Sequence, residues 1–75
     1  MTQDECMILF SDISEIQILR HKLMDAMAEQ RKRFHSGKIS RRKFHKTRLA
    51  WMETEAELRR EVTRLYDIGY THGCF

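Results

Sequence analysis

Nine bases lie between Arg31 and Arg48 with no acid among them: Arg31, Lys32, Arg33, Lys38, Arg41, Arg42, Lys43, Lys46 and Arg48. His35 and His45 fall in the same stretch. Residues 1–29 carry a net charge of −4 and residues 49–75 a net charge of −2, so the modest total of +3 hides a strong separation along the chain. Bases gathered in this way suit anions: phosphate backbones, an acidic protein surface or an acidic membrane face. Arg31, Lys32 and Arg33 close a helix, where they complement its dipole. Arg41, Arg42 and Lys43 open the next helix, where the dipole opposes them, so helix stability does not explain their placement.

Other chemistry is weakly represented. Cys6, His72 and Cys74 could meet if the chain ends come together, but their spacing is irregular for a metal site, and mobile terminal residues are the plainer reading. A Cys–His pair could form a nucleophile, yet one hairpin builds no shaped pocket around it. Glu53, Glu57 and Glu61 recur every four residues near Arg60 and Arg64, the pattern of a solvated ion-pair ladder. The sequence therefore predicts no catalytic residue, no cofactor, no metal and no small-molecule substrate.

The elements that must carry the basic cluster follow from periodicity and capping. With 75 residues, one small domain spanning 1–75 is expected. No proline is present to break a helix. Thr2-Gln3-Asp4-Glu5 and Asp12-Ile13-Ser14-Glu15 both fit a capping box. The second is favoured here, giving a first helix over about 12–35 with residues 1–11 as an N-terminal arm. Its apolar stripe is Ile13, Ile16, Leu19, Leu23, Ala26, Met27 and Phe34, with Gln30 on the same face. Gly37 suits the turn, Ser40 caps the second helix, and Ile39 with Phe44 has the spacing of a hydrophobic staple. The second helix runs over about 41–68, leaving 69–75 as a frayed tail. Phe44, Trp51, Leu58 and Leu65 repeat every seven residues, and Val62 and Tyr66 widen the stripe. Arg48 and Glu55 fall inside that stripe, where polar groups could set register.

Two long helices joined by one short turn predict an all-α antiparallel hairpin. Phe34, Phe44 and Trp51 are read as packing residues of its seam. A second strip, Leu49, Met52 and Ala56, lies to the side of the seam and predicts a homodimer or a docked protein partner. The charged 33 % of the chain and its short apolar runs predict no membrane span. The acidic N-terminus lacks the basic flank and long apolar core of a secretory signal, so an intracellular, cytoplasmic protein with free Cys6 and Cys74 thiols is expected.

The single Gly-containing turn and the hydrophobic spacing from Phe34 to Tyr66 resemble the small helical-hairpin partners of type III secretion needle subunits. The basic tip lies outside that pattern, and the resemblance concerns layout alone.

The expectation from these residues is a non-enzymatic binding protein, such as a small regulator, inhibitor or co-chaperone. Its tip would dock an acidic surface while its apolar strip joins a second copy or a partner. The alternative is a hairpin that contacts nucleic-acid phosphates through residues 31–48. No helix-turn-helix, zinc-finger or RNA-binding-sheet signature supports that alternative.

Overall fold

The computed structural model describes all of residues 1–75. The first helix, α1, spans Gln3–His35, and the second, α2, spans Arg41–Thr71. They form the antiparallel hairpin, a rod of 53 × 15 × 12 Å.

The helix begins nine residues earlier than the 12–35 expected, because the first capping box is the one in use. Thr2 accepts a hydrogen bond from the Glu5 backbone N–H at 3.2 Å, and the Glu5 carboxylate accepts from the Thr2 N–H at 3.2 Å. These bonds satisfy two of the donors that every helix start leaves open. The Thr2 backbone N–H, and after it the Thr2 hydroxyl, donate to the Glu5 carboxylate and hold that carboxyl below its ordinary 4.5. Nothing between Gln3 and His35 interrupts propagation, since the stretch has neither proline nor glycine. Residues 1–11 are therefore part of the rod rather than a separate arm.

The far end is likewise more ordered than expected. The second helix continues past 68 to Thr71, with Gly69 buried inside it. Cys74 N–H donates to the Gly69 carbonyl at 2.8 Å, and the chain folds back so that Phe75 lies over Gly69. Phe75 sits among Phe10, Tyr66 and Tyr70, with ring centroids 5.1, 5.3 and 5.2 Å away. Cys6 and Cys74 are joined by a disulfide, their Cα atoms 5.5 Å apart. The free-thiol expectation is thus corrected, and so is the mobile tail. Residues near opposite chain ends are brought together because an antiparallel hairpin places its two termini side by side.

Gly69 is small because the Phe75 ring takes its side-chain space: a Cβ there would overlap the ring. We expect Gly69→Ala to expel Phe75 from the cluster. Each aromatic pair contributes about 1 kcal/mol beyond area burial, so thermal melts should show a clearly lower midpoint. In a chain that already carries Phe75→Ala, the Gly69→Ala change should cost much less. An unchanged midpoint in Gly69→Ala would show that Phe75 contributes nothing.

The seam is a narrow zip. Leu9, Ile13 and Leu65 form its buried cluster, backed by Ile16, Ile68 and Cys74, and Val62 is buried one turn away. Towards the middle, the predicted stripe needs correction. Leu19 is 51 % exposed and Ala26 is exposed, while Arg20 takes the seam position. Ile13, Arg20, Met27 and Phe34 are spaced by seven, as are Leu9, Ile16, Leu23 and Gln30. Packing at 3.5 residues per turn keeps these on the contact line and rotates Leu19 and Ala26 off it.

Arg20 crosses the seam to Glu55, Nη2 to Oε1 at 3.2 Å, and Arg59 holds the same carboxylate from its own helix at 2.6 Å. Glu55 thus has its predicted place on the seam and a partner that periodicity read loosely had passed over. Arg48, expected in the same stripe, is exposed instead. The Arg59 hydrogen bond lowers the Glu55 carboxyl below its ordinary 4.5; burial opposes this, and the Arg59 and Arg20 charges reinforce it. A carboxyl with a depressed folded value contributes stability above its unfolded value and loses it as the pH falls through the folded one. Melting midpoints should therefore fall on acidification below 4.5, and Glu55→Gln should flatten part of that slope. Arg20 Nε has no hydrogen-bond partner, so the bridge favours register more than stability. We expect Glu55→Leu alone to destabilise, because it strands Arg20, and Arg20→Leu with Glu55→Leu to recover the loss. A double variant no more stable than the single one would refute this account.

Candidate anion-docking site at the hairpin tip

The turn is a helix stop followed directly by a helix start. Gly37 has φ +77°, a left-handed conformation that glycine adopts without steric cost. Its N–H donates to the Phe34 carbonyl at 3.1 Å, and Lys38 N–H donates to the Arg33 carbonyl at 2.9 Å. This is the Schellman arrangement, which satisfies the last carbonyls of α1. Ser36 Oγ adds a bond to the Arg33 carbonyl at 3.1 Å. Three residues on, the Ser40 side chain accepts from the Lys43 N–H at 3.2 Å and caps α2. Chain reversal is thereby confined to a few residues, and the bases on either side are brought to one end of the rod.

Phe34 closes α1 and Phe44 opens α2. Their rings stack 4.7 Å apart and within 6° of parallel, while each remains half-buried. Trp51 is half-buried farther down the seam. The packing role expected for these aromatics is accompanied by a second one at the tip. Phe34 and Phe44 form the apolar floor of an open cleft of about 700 Å³, walled by Arg41, Arg42, His45 and Arg48. Arg48 left the seam to join this wall.

Every base of the expected tip set is solvent-exposed: Arg31, Lys32, Arg33, Lys38, Arg41, Arg42, Lys43, Lys46 and Arg48. Only Arg33 meets a carboxylate, Glu29, at 3.9 Å. The fold gathers all nine near the turn but separates them into two groups. Arg41, Arg42 and Arg48 line the cleft, and the others surround it. The lining holds arginine and no lysine. A guanidinium offers a planar fork that pairs a carboxylate or phosphate through two hydrogen bonds. At moderate ionic strength, charges within about 10 Å still reinforce one another. An anion with an apolar part fits such a cleft, its charge on the arginines and its apolar part on the rings.

The lateral strip is distributed differently from expectation. Leu49 and Met52 are about half exposed, whereas Ala56 is half-buried. Met52 also borders a groove of about 380 Å³ with Met24, Met27, Arg20, Glu55 and Arg59. Met24 lies off the centre of the predicted stripe, which runs through Ile16, Leu23 and Phe34, and Arg20 was not placed on it, so neither was read as a groove residue; the seven-residue spacing through Arg20 was the available signal. No helix is long and apolar enough to cross a membrane. Comparison of the chain with protein families, curated proteins and solved structures finds no match to any of the three.

Proposed function

We propose that this hairpin is a non-enzymatic binding protein whose tip docks an acidic surface on a protein partner. The observation that carries the reading is the cleft itself, in which Arg41, Arg42 and Arg48 stand unpaired around the stacked Phe34 and Phe44 rings. Unpaired arginines beside apolar rings are an arrangement that a partner completes. Leu49 and Met52 supply apolar contact farther down the rod. A small regulator, inhibitor or co-chaperone has this makeup. The closed Cys6–Cys74 bridge belongs with an oxidising environment, and in a reducing cytosol the same pair would be open.

A second reading has the tip contacting nucleic acid, with bases packed against the half-buried Phe34 and Phe44 rings and phosphates on the arginines. Salt separates the two. Phosphate contacts release counterions, so binding to a strand falls steeply with salt. Contacts that include Met52 should fall more gently. The test combines a gel shift on single and double strands at low salt with capture of partners by the wild-type, Arg41→Glu/Arg42→Glu and Met52→Asp chains. A specific protein retained by the wild type and lost from both variants supports the proposal. A shifted strand whose binding is lost with Arg41→Glu/Arg42→Glu but kept with Met52→Asp replaces it with the second reading.

A further inference from the structure

The end of the rod opposite the tip has complementary chemistry. Residues 1–19 carry Asp4, Glu5, Asp12 and Glu15 and no base. Spacings of three and four place Glu5, Ile8, Asp12 and Glu15 on one face of α1. Ile8 is 61 % exposed in the middle of that face. Glu5, Ile8 and Asp12 border a shallow depression together with Met1 and Ile68. One end of the molecule is thus an apolar cleft walled by arginines, and the other is an apolar depression flanked along α1 by the Glu5 and Asp12 carboxylates.

We infer that the partner of the tip is a second copy of this chain, lying antiparallel, so that each cleft receives the Glu5–Ile8–Asp12 face of the other. This deepens the proposed function and rests on its reading of the tip. Three observations support the pairing. The first is surface area. The chain exposes 6006 Å², whereas a compact monomer of 9.1 kDa exposes about 4,900 Å². The excess is comparable to the roughly 800 Å² that each partner buries in a standard interface. The second is charge order. A parallel pair would set two strongly basic tips side by side; an antiparallel pair lays each along the acidic end of its neighbour. The third is the distribution of exposed apolar residues. Met1 and Ile8 are 48 % and 61 % exposed on the docked face, whereas Phe10, Tyr66, Tyr70 and Phe75 pack on one another on the other flank. Ile18, Leu19, Met24, Leu49 and Met52 are exposed at mid-rod, and no large apolar side chain between Asp25 and Arg48 is comparably exposed. The Met1 and Ile8 surface therefore lies where the antiparallel partner's tip arrives. A two-fold axis at mid-rod makes the two contacts identical and closes the assembly at two copies.

The test uses the full, oxidised chain. Sedimentation equilibrium from low to high micromolar should show a dimer. Carbodiimide cross-linking of mixed isotope-labelled and unlabelled chains should join Lys38, Lys43 or Lys46 of one copy to Glu5 or Asp12 of the other. Arg41→Glu/Arg42→Glu and Asp12→Lys/Glu15→Lys should each be monomeric alone, with melts confirming that they fold. Mixing the two should restore a dimer, because each altered end then faces its opposite. Wild type that stays monomeric at high micromolar concentration, variants that still self-associate, a mixture that stays monomeric, or cross-links joining tip to tip would overturn the pairing. A labelled peptide with isoleucine between glutamates separates the two levels. A monomeric chain that binds it through Arg41 and Arg42 loses only the self-pairing, and one that does not bind it loses the acidic-partner reading as well.

Discussion

Arg41→Glu combined with Arg42→Glu should weaken binding of an acidic partner by about 100-fold or more. Each charge-assisted hydrogen bond contributes about 1.5–3 kcal/mol, and every 1.4 kcal/mol is about tenfold in affinity. Losing two such bonds gives the lower bound, and reversing the charge adds repulsion from the carboxylates the arginines had faced. The two side chains are exposed, line the cleft and have no intramolecular carboxylate partner. Their removal should therefore leave the fold intact. Replacing bases at the start of α2 with acids also suits its dipole, so at concentrations low enough for the wild type to be monomeric as well, the variant should melt no lower. Fluorescence anisotropy with a labelled acidic peptide, paired with circular-dichroism melts, reads both quantities. Arg41→Lys/Arg42→Lys sharpens the result. It keeps the charge and removes the planar fork, so it should fall between wild type and the reversal. Equal binding by wild type and the Glu variant would remove the tip from the site.

Reduction of the Cys6–Cys74 bridge should produce the largest change in stability. The bridge closes the chain over a sequence separation of 68 residues. Loop-closure entropy for that length amounts to about 4 kcal/mol in the chain-entropy account. Only Leu9, Ile13, Val62, Leu65 and Gly69 are buried in this rod. Small domains of this kind have little stability to spare, so losing the bridge should bring the hairpin close to unfolding. The loss should begin at the open end. Phe75 leaves Gly69 when Cys74 is released, and the Phe10, Tyr66 and Tyr70 contacts go with it. Thermal melts with and without reductant, and of Cys6→Ser/Cys74→Ser, should show the midpoint falling by tens of degrees. The tip lies at the far end and is held by its own turn bonds, so a partly folded reduced chain should retain more protection from hydrogen exchange around Phe34 and Phe44 than around Phe10. The reverse order, or an unchanged midpoint, would show that the bridge is not what secures the open end.

The two predictions concern opposite ends of one rod, and they differ in how well the sequence foretold them. The tip was legible. Gly37, Ser40 and the nine bases act through local rules, namely which residue can adopt positive φ, which side chain can cap, and which charges sit within a few residues of the turn. The open end was much less so. Two capping boxes competed in residues 2–15, and local propensity does not rank them. The outer one prevails because helix there gains Leu9 as a seam contact against α2, and that contact is tertiary. Gly69 was expected to open a frayed tail, but in the fold it is the space under Phe75.

By itself, the amino-acid sequence determined the all-α class, the single turn, the antiparallel arrangement and the +9 tip, since each depends on interactions within a few residues. Tertiary structure alone decided that Cys6 meets Cys74, that Arg20 rather than Leu19 lies on the seam opposite Glu55, and that Arg48 turns outward to join Arg41 and Arg42 around the Phe34–Phe44 stack. The physical reason is common to all three. Each depends on the register of one helix against the other, and a slide or rotation of a fraction of a turn exchanges seam and surface positions. That register follows from contacts between residues far apart in the chain, which no local pattern contains.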